Sequence, residues 1–364
     1  MKKYSVLLVG GGSGGHIYPL IAVAEELKAR GISFAYVGTK NSKEEEVAKE
    51  EKIDFIAINA GKWRRYVKFK SFFQNIFDVF RVIYGFFQCI KLLRASRAKV
   101  VLSKGGYVAL PMVFATKLLG RKLVVHESDT IMGLTNRIGA RFADKVLTAF
   151  DPKVFPDADS RFIQVGIPVR RSLLKSAKLK SPQKKKPVIL VLSGSQGSRF
   201  VNNLIKSEIN TLLSKYELIH STGTTDIEDF IKLKNQLSEE IRDNYRPHDF
   251  IGRELPYYMQ LADLIIGRSG ATAIVEASVF SKAMFVIPLA SSANNHQLQN
   301  AKLLSKAGAL EYIEEHQVNP QKFIEKIDQI ISTNKKTELG KKLNSYFDED
   351  KTTQKVIESL GIND

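Results

Sequence analysis

Ser5-Val6-Leu7-Leu8-Val9, then Gly10-Gly11-Gly12-Ser13-Gly14-Gly15-His16, then Leu20, Ile21, Val23, Ala24 and Leu27 at helical spacing: this opening stretch decides the fold. The apolar run over 5–9 is short and reads as a buried strand, while the spacing over 18–30 reads as a helix. The glycines between them mark a turn whose backbone needs room. A second strand follows at 33–37. Strand, helix and strand within about thirty residues make a βαβ unit, which implies a parallel sheet and a right-handed crossover.

Working outward, further apolar runs at 55–58, 100–102, 123–125 and 145–148 alternate with helical patterns and continue the same sheet. Between Arg170 and Pro187 the chain turns basic, with Lys175, Lys178, Lys180 and Lys184 to Lys186 around Ser181-Pro182, and reads as a linker. A second series then begins: a strand at 188–192, the turn Ser193-Gly194-Ser195-Gln196-Gly197, a helix from Arg199, a strand at 217–220 and a strand-turn-helix over 262–277. The expected fold is α/β, two doubly wound parallel-sheet (Rossmann-like) domains facing each other across a cleft, with ligands at the carboxyl ends of the strands. The expected divisions are 1–165 and 166–340, with a C-terminal helical stretch at 341–364 that can pack on either domain.

Composition narrows the classes. At 364 residues the chain exceeds one ordinary core, and 44% hydrophobic with 26% charged residues is globular rather than disordered or fibrous. The single cysteine, Cys89, excludes an internal disulfide and any Cys-rich metal site. The apolar run at 4–9 is too short for a signal-peptide core or a membrane span, so the chain is expected to start inside the cell. With 55 basic against 38 acidic side chains the net charge is +17, which attracts nucleic acid, nucleotide phosphates or an acidic membrane leaflet without choosing among them.

Gly10 to Gly15 formally satisfy the dinucleotide pattern, but that fold wants an acid at the end of its second strand. Here the strand ends Tyr36-Val37-Gly38-Thr39, which argues against a nicotinamide or flavin. Two readings remain: a merely tight turn, or a bare backbone whose amides meet an anion or a sugar. His16 follows directly, as a general base or as a structural histidine. In the second series, Ser193 to Gly197 and Arg268-Ser269-Gly270-Ala271-Thr272 each precede a helix and can meet phosphate without a metal. Arg268 can equally be a surface arginine, and Glu276 either a ribose ligand or a solvated helical carboxylate. Asn294-Asn295-His296-Gln297 with Asn300 suits sugar hydroxyls, or is simply a polar loop.

Trp63-Arg64-Arg65-Tyr66-Val67-Lys68-Phe69-Lys70 leads into a helical stretch over 71–93 that contains Phe72, Phe73, Phe77 and Phe80. As a helix, Gln74, Asp78, Arg81, Gly85 and Gln88 form one polar seam, and most of the remaining perimeter is apolar. Either the helix is buried on two sides, or its surplus apolar surface and the neighbouring cations form an interfacial site on an anionic membrane surface. No recognisable nucleic-acid module accompanies it, so no nucleic acid is expected as a partner.

Taken together, Gly11 to Pro19, Gly105-Gly106-Tyr107, His126-Glu127, Gly133-Leu134-Thr135-Asn136-Arg137, Gly166-x-Pro168-Val169-Arg170, Gly194 to Gly197, His220-x-Thr222-Gly223, Phe250-Ile251, Arg268 to Ala271 and His296-Gln297-x-x-Asn300-Ala301 resemble, in this order, the MurG family of glycosyltransferases. The resemblance covers nearly the whole chain. It implies a GT-B fold and inverting transfer of N-acetylglucosamine from UDP-N-acetylglucosamine to an undecaprenyl-linked lipid acceptor carrying N-acetylmuramyl-pentapeptide, in peptidoglycan synthesis. It also implies no cofactor, no tightly bound metal, and peripheral attachment to the cytoplasmic face of the plasma membrane.

By position, the resemblance assigns His16 to acceptor activation, and Ser13, Gly14 and Gly15 with Gly105, Gly106 and Tyr107 to the acceptor. Ser13 and Gly14 also face the donor. It gives Phe250 and Ile251 to uracil, Arg170 and Ser195 to the UDP phosphates, Glu276 to ribose, and His296 and Gln297 to sugar hydroxyls, with Gln196, Ser269, Gly270, Ala271 and Thr272 among the donor-binding residues. Where the family has His-Glu-Gln-Asn, this chain has His126-Glu127-Ser128-Asp129, so a carboxylate that accepts but does not donate stands near the donor N-acetyl group. Ser193, Ile167 and Ala273 also replace a family glycine, asparagine and threonine. The competing activities are a diacylglycerol-directed glycolipid synthase and a sugar-nucleotide epimerase, against which the aromatic basic segment argues.

Overall fold

The computed structural model describes residues 2–61, 69–194, 197–347 and 351–362, with the backbone alone for 69–76. The chain forms two compact units, Met1–Arg170 with Glu349–Asp364, and Arg171–Asp348.

In the first unit the chain runs β1 (Val6–Gly10), α1 (Gly14–Ala29), β2 (Phe34–Gly38), α2 (Lys43–Glu50), β3 (Phe55–Ala57) and α3 (Phe69–Ser96). It continues through β4 (Val100–Gly105), α4 (Ala109–Leu118), β5 (Lys122–Glu127), α5 (Leu134–Ala140), β6 (Lys145–Thr148) and β7 (Phe162–Gln164). The seven strands lie in the order β3-β2-β1-β4-β5-β6-β7, every pair parallel. Alternation along β1 builds both faces. Val6 and Leu8 pack with Ile17, Leu20 and Ile21 of α1, while Leu7 and Val9 pack with Cys89 and Leu93 of α3 and Met112 of α4.

The second unit runs α6 (Arg171–Ala177), β8 (Val188–Leu192), α7 (Arg199–Ser207), α8 (Ile209–Lys215), β9 (Glu217–Ser221), α9 (Ile227–Gln236), α10 (Glu239–Arg242) and β10 (Tyr245–His248). Then follow α11 (Leu255–Leu261), β11 (Leu264–Gly267), α12 (Ala271–Val279), β12 (Ala283–Val286), α13 (His296–Lys306), β13 (Glu311–Tyr312), α14 (Pro320–Ser332) and α15 (Lys335–Tyr346). Its six parallel strands are ordered β10-β9-β8-β11-β12-β13.

Four details differ from the sequence expectation. Helix α1 starts at Gly14 rather than near 18, because Ser13 is extended and the amides of His16 and Ile17 already turn back to its carbonyl. Residues 166–170, expected with the second domain, lie in the first unit, and the start of the expected linker is α6, anchored by buried Leu173. The C-terminal stretch is two helices: α15 packs against β12 and α12 of the second unit, while α16 (Thr352–Leu360) covers α1 in the first. Finally, β7, β10 and β13 were not expected. All three are short edge strands, and β10 contains Pro247, which an edge tolerates.

Candidate functional site

At the carboxyl end of the first sheet the turn after β1 is held from several sides. Tyr36 donates its hydroxyl to the Gly10 carbonyl at 2.9 Å, and burial pushes this phenol well above its ordinary value, so it stays a neutral donor. Glu44, in the first turn of α2, folds back beneath the loop. Its Oε1 accepts the Thr39 hydroxyl (2.8 Å) and amide (3.3 Å), and its Oε2 accepts the Gly12 amide at 3.3 Å. A Cβ on Gly11 would lie 2.5 Å from Glu44 Oε1, so glycine there makes room for the carboxylate. The acid missing from the end of β2 is thus supplied from α2, but it is buried and spent on Thr39 and Gly12.

The turn after β4 packs onto the first. Gly106 has φ +76°, and a Cβ on it would collide with the Gly11 carbonyl and stand 3.2 Å from His16 Nδ1. Tyr107 lies over Gly12, its ring 3.0 Å from where a Cβ would be. The structure therefore brings Ser13, His16, Gly106 and Tyr107 together. His16 Nδ1 is 3.0 Å from the Gly11 carbonyl and 3.2 Å from Ser13 Oγ. A carbonyl only accepts, so Nδ1 carries a proton; in the neutral imidazole the lone pair is then on Nε2, the tautomer a general base needs.

Beside these turns, β5 ends in a buried polar cluster. Glu127 accepts the amides of Ser128 (2.8 Å), Asp129 (3.0 Å) and Gly133 (3.1 Å) and the Asn136 side-chain amide (3.0 Å). Burial and Asp129 push its carboxyl up, yet all four donors are N–H groups, so the loop is built around the carboxylate form. Lys104, near the end of β4, is buried and donates to Ser128 Oγ at 2.6 Å; burial lowers its pKa while Glu127 and Asp129 oppose this. Neither Glu44 nor Lys104 was singled out from the sequence. A strand ending in lysine before two glycines was the available signal for the second. His126 donates from Nε2 to the Gly166 carbonyl (2.8 Å), and burial holds it neutral. Arg170 lies over the Tyr18 ring at 4.6 Å.

In the second unit the turns after β11 and β12 lock each other. Ser269 Oγ donates to the Gln297 carbonyl (2.8 Å), Asn300 to the Ser269 carbonyl (3.1 Å), and Gln297 Oε1 accepts the Leu289 amide (2.9 Å). His296 Nδ1 donates to the Ala293 carbonyl at 2.8 Å. Arg268 is an internal tie rather than a surface side chain: it meets Glu315 at 2.6 Å and the Ile287 carbonyl at 3.0 Å. Gly270 caps α12, so the first amides of Ala271 and Thr272 open towards the turn, and Glu276 sits half-buried later in that helix. Ile251 is buried and Phe250 half-buried. Ser195 and Gln196 fall outside the described residues. Gly197, at φ +75°, leaves no room for a Cβ against the Thr222 carbonyl.

Trp63, Arg64, Arg65 and Lys68 lie outside the described residues, as do the side chains of Phe69, Lys70, Phe72 and Phe73. Beyond them α3 packs through its polar seam: Asp78 is buried, Gly85 abuts the Asn59 backbone, and Gln88 accepts the Asn59 amide at 2.7 Å. The aromatics face outward, with Phe77 67%, Phe80 64%, Tyr84 60% and Phe87 61% exposed, which overturns burial on two sides for this part of the helix. Leu118 of α4 is exposed as well. Among the described residues no helix is long and apolar enough to cross a membrane, and no group of His, Cys, Asp or Glu is arranged to hold a metal ion.

Two open parallel sheets, each ending in glycine turns that feed helix starts, form the paired Rossmann-like halves that GT-B glycosyltransferases are built from. Residues 6–148 match the glycosyltransferase family 28 N-terminal domain, and residues 188–358 its C-terminal domain. A UDP-N-acetylglucosamine–N-acetylmuramyl-(pentapeptide) pyrophosphoryl-undecaprenol N-acetylglucosamine transferase of Clostridium kluyveri is 35% identical over 336 residues, 91% of each chain. The protein of the same name from Clostridium novyi is 33% identical over 345 residues, 92% of this chain and 93% of the relative. The crystal structure of Acinetobacter baumannii MurG shares the fold, with a TM-score of 0.74 and 24% identity over 99% of each chain. The chain belongs to glycosyltransferase family 28.

Proposed function

We propose that this chain is an inverting hexosyltransferase that moves N-acetylglucosamine from UDP-N-acetylglucosamine to undecaprenyl-diphosphate-N-acetylmuramyl-pentapeptide, giving lipid II. The observation that carries the reading is the identity of 32–35% to enzymes so named, across at least 91% of the chain. The acceptor hydroxyl attacks the anomeric carbon, the bond to UDP breaks, and His16 Nε2 takes the hydroxyl proton. The turns at 10–15 and 105–107 hold the lipid-borne diphosphate. The helix start at 270–272 and the 193–197 turn hold the UDP phosphates, with Glu276 on ribose, Phe250 and Ile251 on uracil, and His296 and Gln297 on the sugar. Asp129 reads the acetamido N–H, accepting it as a carboxylate.

The exposed aromatic face of α3, with the cations that precede it, seats the enzyme on the anionic cytoplasmic face of the membrane. Assaying a panel of UDP-sugars with a short-chain lipid I analogue tests the transfer. Turnover with UDP-N-acetylglucosamine well above the others is expected; transfer to diacylglycerol, or epimerisation without acceptor, would replace this reading.

A further inference from the structure

Glu44 is a buried carboxylate that no Lys or Arg among the described residues pairs with, held instead by Thr39 and the Gly12 amide. Burying a charge this way is costly and calls for a role. The Gly12 N–H that it accepts and the Gly11 C=O that meets His16 Nδ1 at 3.0 Å are opposite ends of one peptide group. In a trans peptide those ends point opposite ways. Glu44 and His16 therefore face each other across a single peptide, 3.3 Å from its donor end and 3.0 Å from its acceptor end.

A peptide between two glycines flips at little cost, because neither neighbour carries a Cβ. Flipped, it would present N–H to the imidazole and select the opposite tautomer, with the lone pair on Nδ1. An anionic acceptor fixed behind the loop removes that alternative and polarises the carbonyl that holds Nδ1–H. Among the described residues the other ionisable groups packed on this loop are Tyr36, whose hydroxyl bonds Gly10, Tyr107 over Gly12, Lys104 against Gly10 and Tyr18 against Gly14. None of the four spans the Gly11–Gly12 peptide as Glu44 does.

We propose that Glu44 is a positioning residue for His16: acting through the Gly11–Gly12 peptide, it fixes the Nδ1–H tautomer and leaves Nε2 as the proton acceptor. The inference rests on His16 being the base in the reading above. Glu44→Gln keeps an oxygen for the Gly12 amide without the charge, and Glu44→Leu removes both. The expected result is a kcat lower by about tenfold in the first and about 100-fold in the second, with KM for UDP-N-acetylglucosamine within about twofold. The acid limb of the kcat profile should move to lower pH in Glu44→Gln, since a negative charge no longer favours the imidazolium. Nitrogen NMR of labelled histidine, with His16→Ala to assign the signal, should show Nδ1–H in the native protein and a mixed tautomer in Glu44→Leu.

If His16→Ala turns over at the native rate, the base reading falls and this inference with it. If His16→Ala is slow while both Glu44 variants keep the native kcat, acid limb and tautomer, the role of Glu44 alone is overturned. Should Glu44→Leu fail to fold, the near-isosteric Glu44→Gln decides through its rate, its acid limb and its histidine signal.

Discussion

The carboxyl ends of the two sheets carry similar glycine turns in different electrical surroundings. In the first unit, His16, Glu44, Lys104, Glu127 and Asp129 crowd the turns after β1, β4 and β5, several of them buried. In the second, the turns are tied by a hydroxyl, carboxamides and backbone groups, as in Ser269, Gln297 and Asn300, together with one ion pair, Arg268 with Glu315. Its buried histidine, His220, is clamped between Asn202 and Tyr245 and held down at about 3, so it stays neutral at working pH. In the proposed reading the first end trades a proton with the acceptor, while the second meets the UDP diphosphate with hydroxyl, amide and backbone dipoles beside an Arg268 already paired with Glu315. A general base matters only where its proton affinity can respond to the reaction, whereas a diphosphate cradle works best when its charge state is fixed.

The harshest way to break that comparison is to empty the first unit of its base. His16→Ala should lower kcat about 100-fold or more while leaving UDP binding by calorimetry as it was, because proton transfer is the part removed. If the variant folds and turns over normally, the ionisable cluster of the first unit is structural. A matched loss follows in the second unit. Glu276→Ala should weaken UDP binding by about 1–3 kcal/mol through lost charge-assisted hydrogen bonds, with kcat at saturating donor little changed. Native UDP affinity in that variant would take Glu276 out of the donor site.

Much of this contrast was legible in the sequence, and what was not has a physical cause. The β1 turn, the 193–197 turn and the Arg268 turn could be placed, because apolar runs of strand length followed by glycine and a helical period have few other meanings. Glu44 was hidden inside Lys43-Glu44-Glu45-Glu46, which reads as a solvated helix start. Ser42 does cap that helix by accepting the Glu45 amide, and only the fold turns Glu44 inward. Arg268 gave no sign that Glu315, far along the chain, would claim it. Edge strands such as β10 escape because they bury little and lack a continuous apolar run. For α3 the seam itself was visible, but periodicity alone does not say which side meets the protein.

That inverted packing supplies the next test, confined to the first unit. Phe77, Phe80 and Phe87 together to serine should weaken sedimentation with anionic vesicles by about tenfold or more, since each phenylalanine loses part of the roughly 1.5–3 kcal/mol that full burial of such a side chain contributes. Transfer to a water-soluble acceptor should continue. Unchanged vesicle binding would assign the exposed face to something other than lipid.

The smallest expected effect lies in the second unit, away from its ligand turns. Lys282 immediately precedes β12 and Asp263 immediately precedes β11, at the amino ends of strands whose carboxyl ends carry the turns. Lys282 donates to the Gln260 carbonyl at 2.7 Å, while Lys184 and Lys336 both pair with Asp263 beside it. Burial first, and then the neighbouring Lys184, push its ammonium down to about 8 from an ordinary 10.5. Between those two values the unfolded chain binds more protons than the folded one, so this group makes stability rise with pH across that window, and its contribution levels off below 8. Lys282→Met should flatten the rise, seen as a smaller difference in denaturation midpoint between pH 7.5 and 9.5 than in the native protein. Other groups titrate in the same range, so the difference between the two proteins is the quantity to read. UDP affinity should keep the same pH dependence in both, because the titrating lysine and the turns proposed to hold the diphosphate occupy opposite ends of the sheet. Equal stability slopes would mean that Lys282 titrates as an exposed lysine does. A change in the pH dependence of UDP binding would mean instead that the second unit does couple a titrating group to its ligand, and the contrast with the first would fail.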